Sequence, residues 1–271
     1  MFSADSYKIG DEPRRNILIS CDQGLFVVNR FDNSPVGVAS CLLDHGTNNT
    51  VEADITYKLL KDVDRPVVLD VGANIGTYTT WIARFIKSRQ GVVYCFEPQR
   101  LVFQLLCGNL ALNNIFNVYP VQIALGKDTG QIEVDEPDYE KTGNFGAFRL
   151  DGVRSNQYAV TKQRQHISQV TLDKWVQDNY VPKVDFIKID TDGLDLDVIY
   201  GGLDTIKKHM PSMIVEYINL GSSKTPETSE QGKKKLSDYL IGLGYNCFVN
   251  GDNLLATVRK DLTFWSINYA T

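Results

Sequence analysis

A chain of 271 residues with 43% apolar and 23% charged content has the makeup of a globular protein with one substantial core. Its net charge of -5 argues against a general nucleic-acid binder, which needs clustered cations against phosphate. No apolar run approaches the ~18 residues that cross a bilayer, and "MFSADSYKIGDEPRRN" holds no hydrophobic signal segment, so a cytoplasmic protein without membrane or nucleic-acid partners is expected.

In chain order, "NILISC", "GLFVVNRF" and "VGVASCLL" (16–43) read as three strands of an N-terminal β-meander, separated by Asp-Gln-Gly and Asp-Asn-Ser-Pro turns. "TVEADITYKLLKDV" (50–63) carries Ile55, Leu59 and Leu60 on one stripe behind a Thr50 cap, which predicts a helix. The expected division is 1–65 for meander and helix, and 66–271 for the main domain.

From residue 67 onward strands and helices alternate. "PVVLDV", "GVVYCFE", "NVYPVQIAL", "KVDFIKID" and "SMIVEYI" are apolar strands, and the helices between them predict a parallel sheet covered on both faces. "LDLDVIYGGLDTIKKHM" (194–210) reads as one helix, "NLGSSKTPETSEQ" (219–231) as a surface loop, and "YNCFV" and "LTFWSI" as the last strands. The stretch 126–170 is irregular, with a short strand at "GKDTGQIEV". Five widely spaced cysteines without a CxxC pair read as reduced thiols.

The chemistry concentrates where the first of these strands turns into its helix, Asp70-Val71-Gly72-Ala73-Asn74-Ile75-Gly76. In open α/β sheets ligands bind beyond the carboxyl ends of the strands. No Gly-Lys-Ser/Thr follows, so this is not a P-loop. Asn74 stands where a dinucleotide fingerprint has its second glycine, which weakens a nicotinamide-dependent oxidoreductase reading. Asp70 suits a ligand with an ammonium group, and Glu97 at the next strand end suits a ribose diol. Together they point to S-adenosylmethionine, although both acids also fit charge compensation at helix N-termini.

"VLDVGANIGTYT", "YCFEPQRLVFQLLCGNLALN", "VQIALGKDTG", "TLDKWV" and "VDFIKIDTDGLDLDVIYGG" resemble, in order and spacing, the FkbM-like family of S-adenosylmethionine-dependent methyltransferases, over residues 37–218. The resemblance implies an α/β fold with a Rossmann-like seven-stranded sheet and helices on both faces. It implies O-methylation of a hydroxyl on a small-molecule, sugar or glycan acceptor. It puts Asp70, Gly72, Asn74, Gly76 and Glu97 on the cofactor, with Gln122 and Ala124 beside the adenine and "NFGAF" (144–148) near the site. The family's Lys-Ile-Asp-x-Glu-Gly-x-Glu reads here Lys188-Ile189-Asp190-Thr191-Asp192-Gly193-Leu194-Asp195, both glutamates replaced by the shorter aspartate.

A hydroxyl must lose its proton to be methylated, and Asp190 and Asp192 are the candidates for that base or for positioning the acceptor. A divalent cation such as Mg2+ on the same acids is a second reading. Asp195 is read first as a helix-start acid, Lys188 as a carboxylate partner, and Glu216 as an outside candidate on the same rim. The three histidines have no metal-ligand spacing. A non-catalytic cofactor-binding module and a homo-oligomer both stay open.

Overall fold

The computed structural model describes residues 8–9, 12–13, 15–150, 158–216, 229–250, 252–260 and 268–269. The strand expected over 262–267 and residues 219–228 of the polar stretch lie outside the described residues.

Short strands β1 (Lys8–Ile9) and β2 (Glu12–Pro13) precede a hairpin of β3 (Asn16–Cys21) and β4 (Gly24–Asn29). Residues 36–43, expected as the third strand of a meander, instead enter helix α1 (Val38–His45). Gly46, at φ 72, ends it by donating its N–H to the Leu42 carbonyl. Ala39 and Leu42, three residues apart, bury against Ile19, Phe26 and Val28 of the hairpin. The helical period was hidden in a nearly continuous apolar run, and packing on the hairpin decides it. In α2 (Thr50–Leu60) the cap position falls on Asn49 rather than Thr50.

The main sheet starts at β5 (Val67–Val71), followed by α3 (Thr77–Lys87), β6 (Val92–Phe96), α4 (Arg100–Leu112) and β7 (Val118–Val121). The irregular region holds β8 (Ala124–Leu125), β9 (Gly130–Pro137), a 3-10 turn at Phe145–Ala147 and β10 (Val160–Val170). There β10 lies between β8 and β9 in a sheet of its own. The chain continues through α5 (Leu172–Asp178), β11 (Phe186–Ile189), α6 (Asp195–Tyr200), α7 (Leu203–His209) and β12 (Ser212–Glu216). It closes with α8 (Ser229–Gly242), β13 (Asn246–Asn250), β14 (Asn253–Thr257) and β15 (Asn268–Tyr269). The single helix expected over 194–210 breaks at Gly201-Gly202, where the Gly126 carbonyl passes so close that a Cβ on Gly201 would collide with it.

The strand order β13-β14-β12-β11-β5-β6-β7, extended by the two-residue β15, is the seven-stranded Rossmann-like arrangement that the resemblance implied. β7, β6, β5, β11 and β12 run parallel, while β14 is antiparallel to β12 and β13. Strand order reverses between β5 and β11, which opens a crevice at their carboxyl ends. Alternate residues feed two cores. Leu69, Val71, Ile187 and Ile189 pack with Trp175, Val198 and Leu240 on one face, and Val68, Phe186 and Ile214 pack with Ile55, Ile82 and Leu106 on the other. Each such fully buried aliphatic side chain contributes about 1.5–3 kcal/mol by leaving water.

The N-terminal hairpin packs on α4 through Phe26, Val28 and Val102, and on the glycine turn through Ile75. Asn109 accepts from the Val27 N–H at 2.6 Å and Asn113 from the Leu25 N–H at 3.1 Å, so α4 side chains substitute for a third strand.

Candidate active site

β5 is buried throughout and delivers Asp70 to the crevice just before the chain turns. The N–H groups of Gly72 and Ala73 donate to the Phe96 carbonyl at 3.0 and 2.9 Å, tying the turn to β6. Gly72 and Gly76 both take positive φ, 86 and 90, but for different neighbours. A Cβ on Gly72 would collide with the Asp190 carbonyl oxygen, and one on Gly76 would lie 2.7 Å from Leu106 Cδ1. Gly72 lets two strand ends meet, and Gly76 lets α3 pack on α4.

Asp70 is fully buried. The Thr79 hydroxyl donates to its Oδ2, and Oδ1 has no hydrogen-bond partner. Burial pushes its carboxyl up, and the nearby Lys188 ammonium opposes the shift. Sheet register causes that proximity, since Lys188 on β11 pairs with Asp70 on β5. Glu97 accepts the Asn74 N–H on Oε2 at 3.0 Å and the Gln99 N–H on Oε1 at 2.8 Å. Burial raises it to about 7, against the pull of those two N–H groups. Each oxygen keeps a second lone pair.

Beyond β11, Lys188 Nζ lies 2.7 Å from Asp190 Oδ2 and 5.5 Å from the Tyr78 ring centre. Burial alone would lower this ammonium, but the carboxylates of Asp190 and Asp70 outweigh it and hold Lys188 above its ordinary value. Asp192, at φ 50, is pushed up to about 8 by burial and by the charges of Asp190 and Asp195. Asp195 accepts from the Thr191 N–H, the Thr191 hydroxyl and the Gly193 N–H at 2.9, 3.0 and 3.1 Å. It therefore fastens the loop ahead of α6, as a helix-start acid does. Glu216 ends β12 with Oε2 buried and unpartnered, and burial and three neighbouring aspartates push it up to about 9.

Asp70, Glu97, Lys188, Asp190, Asp192 and Glu216 line one cavity of about 240 Å³. Among the expected residues, Asp70, Gly72, Asn74, Glu97, Ala124, Asp190 and Asp192 line it, and Glu216 joins them. Gly76 and Gln122 are not part of the lining; Gln122 is exposed, and its neighbour Ile123 lines the cavity instead. His45, His166 and His209 are outside the lining. Among the described residues no three His, Cys, Asp or Glu side chains converge to hold a metal ion.

Several lining contacts were not anticipated from the sequence. Asp32 Oδ1 accepts the Phe145 N–H at 3.1 Å, the Phe31 carbonyl accepts the Gly143 N–H at 2.9 Å, and Gln99 Nε2 donates to the Phe145 carbonyl at 2.9 Å. They hold the 144–148 turn so that Asn144, Gly146 and Phe148 wall the cavity. Tyr78 also lines it, its hydroxyl 2.8 Å from Thr56 Oγ1, while Trp81 is exposed. No periodicity marks Asp32, which sits in a sequence that reads only as a turn.

The cavity fits S-adenosylmethionine on its own chemistry. Asp70 Oδ1 is a buried acceptor without a donor, suited to an ammonium, and the free lone pairs of Glu97 suit a diol. No helix among the described residues is long and apolar enough to cross a membrane.

The chain is 25% identical over 193 residues to the hexuronic acid methyltransferase AglP of Haloferax volcanii, covering 71% of this chain and 72% of that protein. It is 26% identical over 150 residues to the 2-O-methyltransferase NoeI of Sinorhizobium fredii, covering 53% and 60%. The crystal structure of a methyltransferase FkbM from Methylobacillus flagellatus KT superimposes with a TM-score of 0.46 at 18% identity. That overlap takes in 71% of this chain and 43% of the other, so the chain spans less than half of that protein. A profile of the methyltransferase FkbM domain matches residues 70–239, from the cofactor turn into α8. With more than half of its length matched, the chain belongs to the FkbM family of S-adenosylmethionine-dependent methyltransferases.

Proposed function

We propose that this methyltransferase acts on a hydroxyl of a small molecule or sugar, with Asp192 as general base and Asp190 positioning the acceptor. The observation that carries the reading is the ion pair of Lys188 with Asp190, which opens onto the same cavity as Asp70, Glu97 and Asp192. When bound, S-adenosylmethionine supplies an electrophilic methyl group on a sulfonium. Asp70 would hold its ammonium, Glu97 its ribose hydroxyls and Ala124 its adenine side, with Gly72 and Asn74 shaping the backbone beneath.

Lys188 keeps Asp190 in one orientation, so the acceptor hydroxyl is held by a fixed acceptor rather than a mobile side chain. Asp192, pushed up to about 8, is basic enough to take the hydroxyl proton near neutral pH. The carbohydrate class draws support from the name of one relative, a hexuronic acid methyltransferase, and transfer to oxygen from the name of the other, a 2-O-methyltransferase. Five free cysteines, two of them buried, support a cytoplasmic setting.

The test is calorimetric titration with S-adenosylhomocysteine, followed by transfer of labelled methyl to a panel of sugars. Glu97→Ala should lose the nucleoside, whereas Asp192→Asn should keep it and lose transfer by about 10²-fold or more. Transfer surviving in Asp192→Asn would overturn the base assignment.

A further inference from the structure

The acceptor side of the cavity is short of positive charge. There the described lining carries the carboxyl groups of Asp190, Asp192 and Glu216 against one cation, Lys188, while Asp70 and Glu97 are taken up by the cofactor in the function proposed above. That ammonium is already committed to Asp190 at 2.7 Å and to the register neighbour Asp70. Asp195 stands behind the same loop, satisfied by Thr191 and Gly193. The Arg149 guanidinium approaches from the back of Gly193 and moderates Asp192, but does not line the cavity. Glu216, at the end of β12, lines the same cavity as Asp190 and Asp192, feels the charges of Asp190, Asp192 and Asp195, and has no donor on Oε2.

Resting on the function proposed above, we propose that the acceptor is an amine-bearing polyol, such as an amino sugar, whose ammonium docks on Glu216 while a neighbouring hydroxyl meets Asp190 and the base Asp192. An ammonium supplies both the missing donor and the missing charge. The upward shift of Glu216, caused by burial and the neighbouring aspartates, marks the cost that a cation beside it would relieve. A metal ion would offer the same charge, but the described acids do not converge with metal-ligand geometry. A carboxylated or phosphorylated acceptor would bring further negative charge to the cluster.

The experiment uses the full chain loaded with S-adenosylhomocysteine. Glucosamine and galactosamine, glucose and galactose, and glucuronate and galacturonate are titrated by saturation-transfer NMR, with MgCl2 as a separate arm. The amino sugars should bind about tenfold or more tighter than the neutral sugars, with the uronates weakest. Glu216→Gln, close in shape and checked for fold by circular dichroism, should erase most of the amine preference, bringing the amino sugars to the affinity of the neutral sugars. Glu216→Lys should favour the uronates. Equal binding of the three classes, an unchanged preference in Glu216→Gln, or no amino-sugar binding would overturn the proposal, as would MgCl2 competing at the same residues more tightly than either amine. Calorimetry with S-adenosylhomocysteine on the same samples separates the failures. Lost nucleoside binding defeats the methyltransferase site itself, while intact nucleoside binding without charge preference defeats only the acceptor assignment.

Discussion

Gly72 and the carbonyl of Asp190 are so close that a single methyl group between them would collide. The turn proposed to hold the cofactor and the strand end proposed to hold the acceptor are one packed unit. Gly72→Ala adds both that collision and a side chain at φ 86. It should destabilise the fold by about 3 kcal/mol or more, seen as a fall in Tm, and abolish S-adenosylhomocysteine binding in whatever folds. Gly76→Ala meets the flexible tip of Leu106 instead of backbone, so it should keep more of the nucleoside affinity for a similar strain in φ.

Activity should depend on Asp192 with a definite sign. A base pushed up to about 8 is mostly protonated at pH 7, so kcat should rise tenfold for each pH unit below that value and level off above it. Asp192→Asn should flatten this limb, and a limb that persists in the variant would assign the proton to another group.

Stability should run the other way. Glu97, Asp192 and Glu216 have folded values of about 7, 8 and 9, all above the 4.5 or 3.8 that such carboxyls have when exposed. The folded state thus holds protons more tightly. Its advantage from these groups is full below pH ~4 and is lost as pH climbs through 7 to 9. Tm should fall between pH 6 and 9.5. Glu216→Gln removes the group that titrates last and should flatten the upper end, with a gain of about 1–3 kcal/mol at pH 9.5.

Removing the Asp32 carboxylate should loosen the cavity wall without touching the sheet. Asp32→Ala leaves the buried Phe145 N–H unpaired, a loss of about 1–3 kcal/mol. Limited proteolysis should then cut within 143–150, with nucleoside affinity down several-fold. Unchanged proteolysis would mean that Gln99, through the Phe145 carbonyl, and the Phe31 carbonyl, through the Gly143 N–H, suffice to hold the turn.

The central sheet was legible in sequence because β5, β6, β11 and β12 bury both faces and read as continuous apolar runs. The acids at their ends were legible because a charge at the close of such a run has few structural uses. β10 was not legible. Its sequence "VTKQRQHISQV" is largely exposed and is held by backbone pairing to β9, which leaves no apolar alternation to read. β14, whose neighbours are two other strands, was passed over for the more aromatic "LTFWSI". Asp32, Gln99 and Tyr139 act through contacts 40 or more residues away in sequence, and local pattern carries no trace of them.

The wall at 144–148 is pinned by Asp32, which precedes the stretch matched by the family profile. The segment just after the amino-terminal hairpin is thus a handle on the cavity wall that is separate from the sheet. A change at Asp32 acts on the 144–148 turn while β5, β6 and β11 keep their pairing.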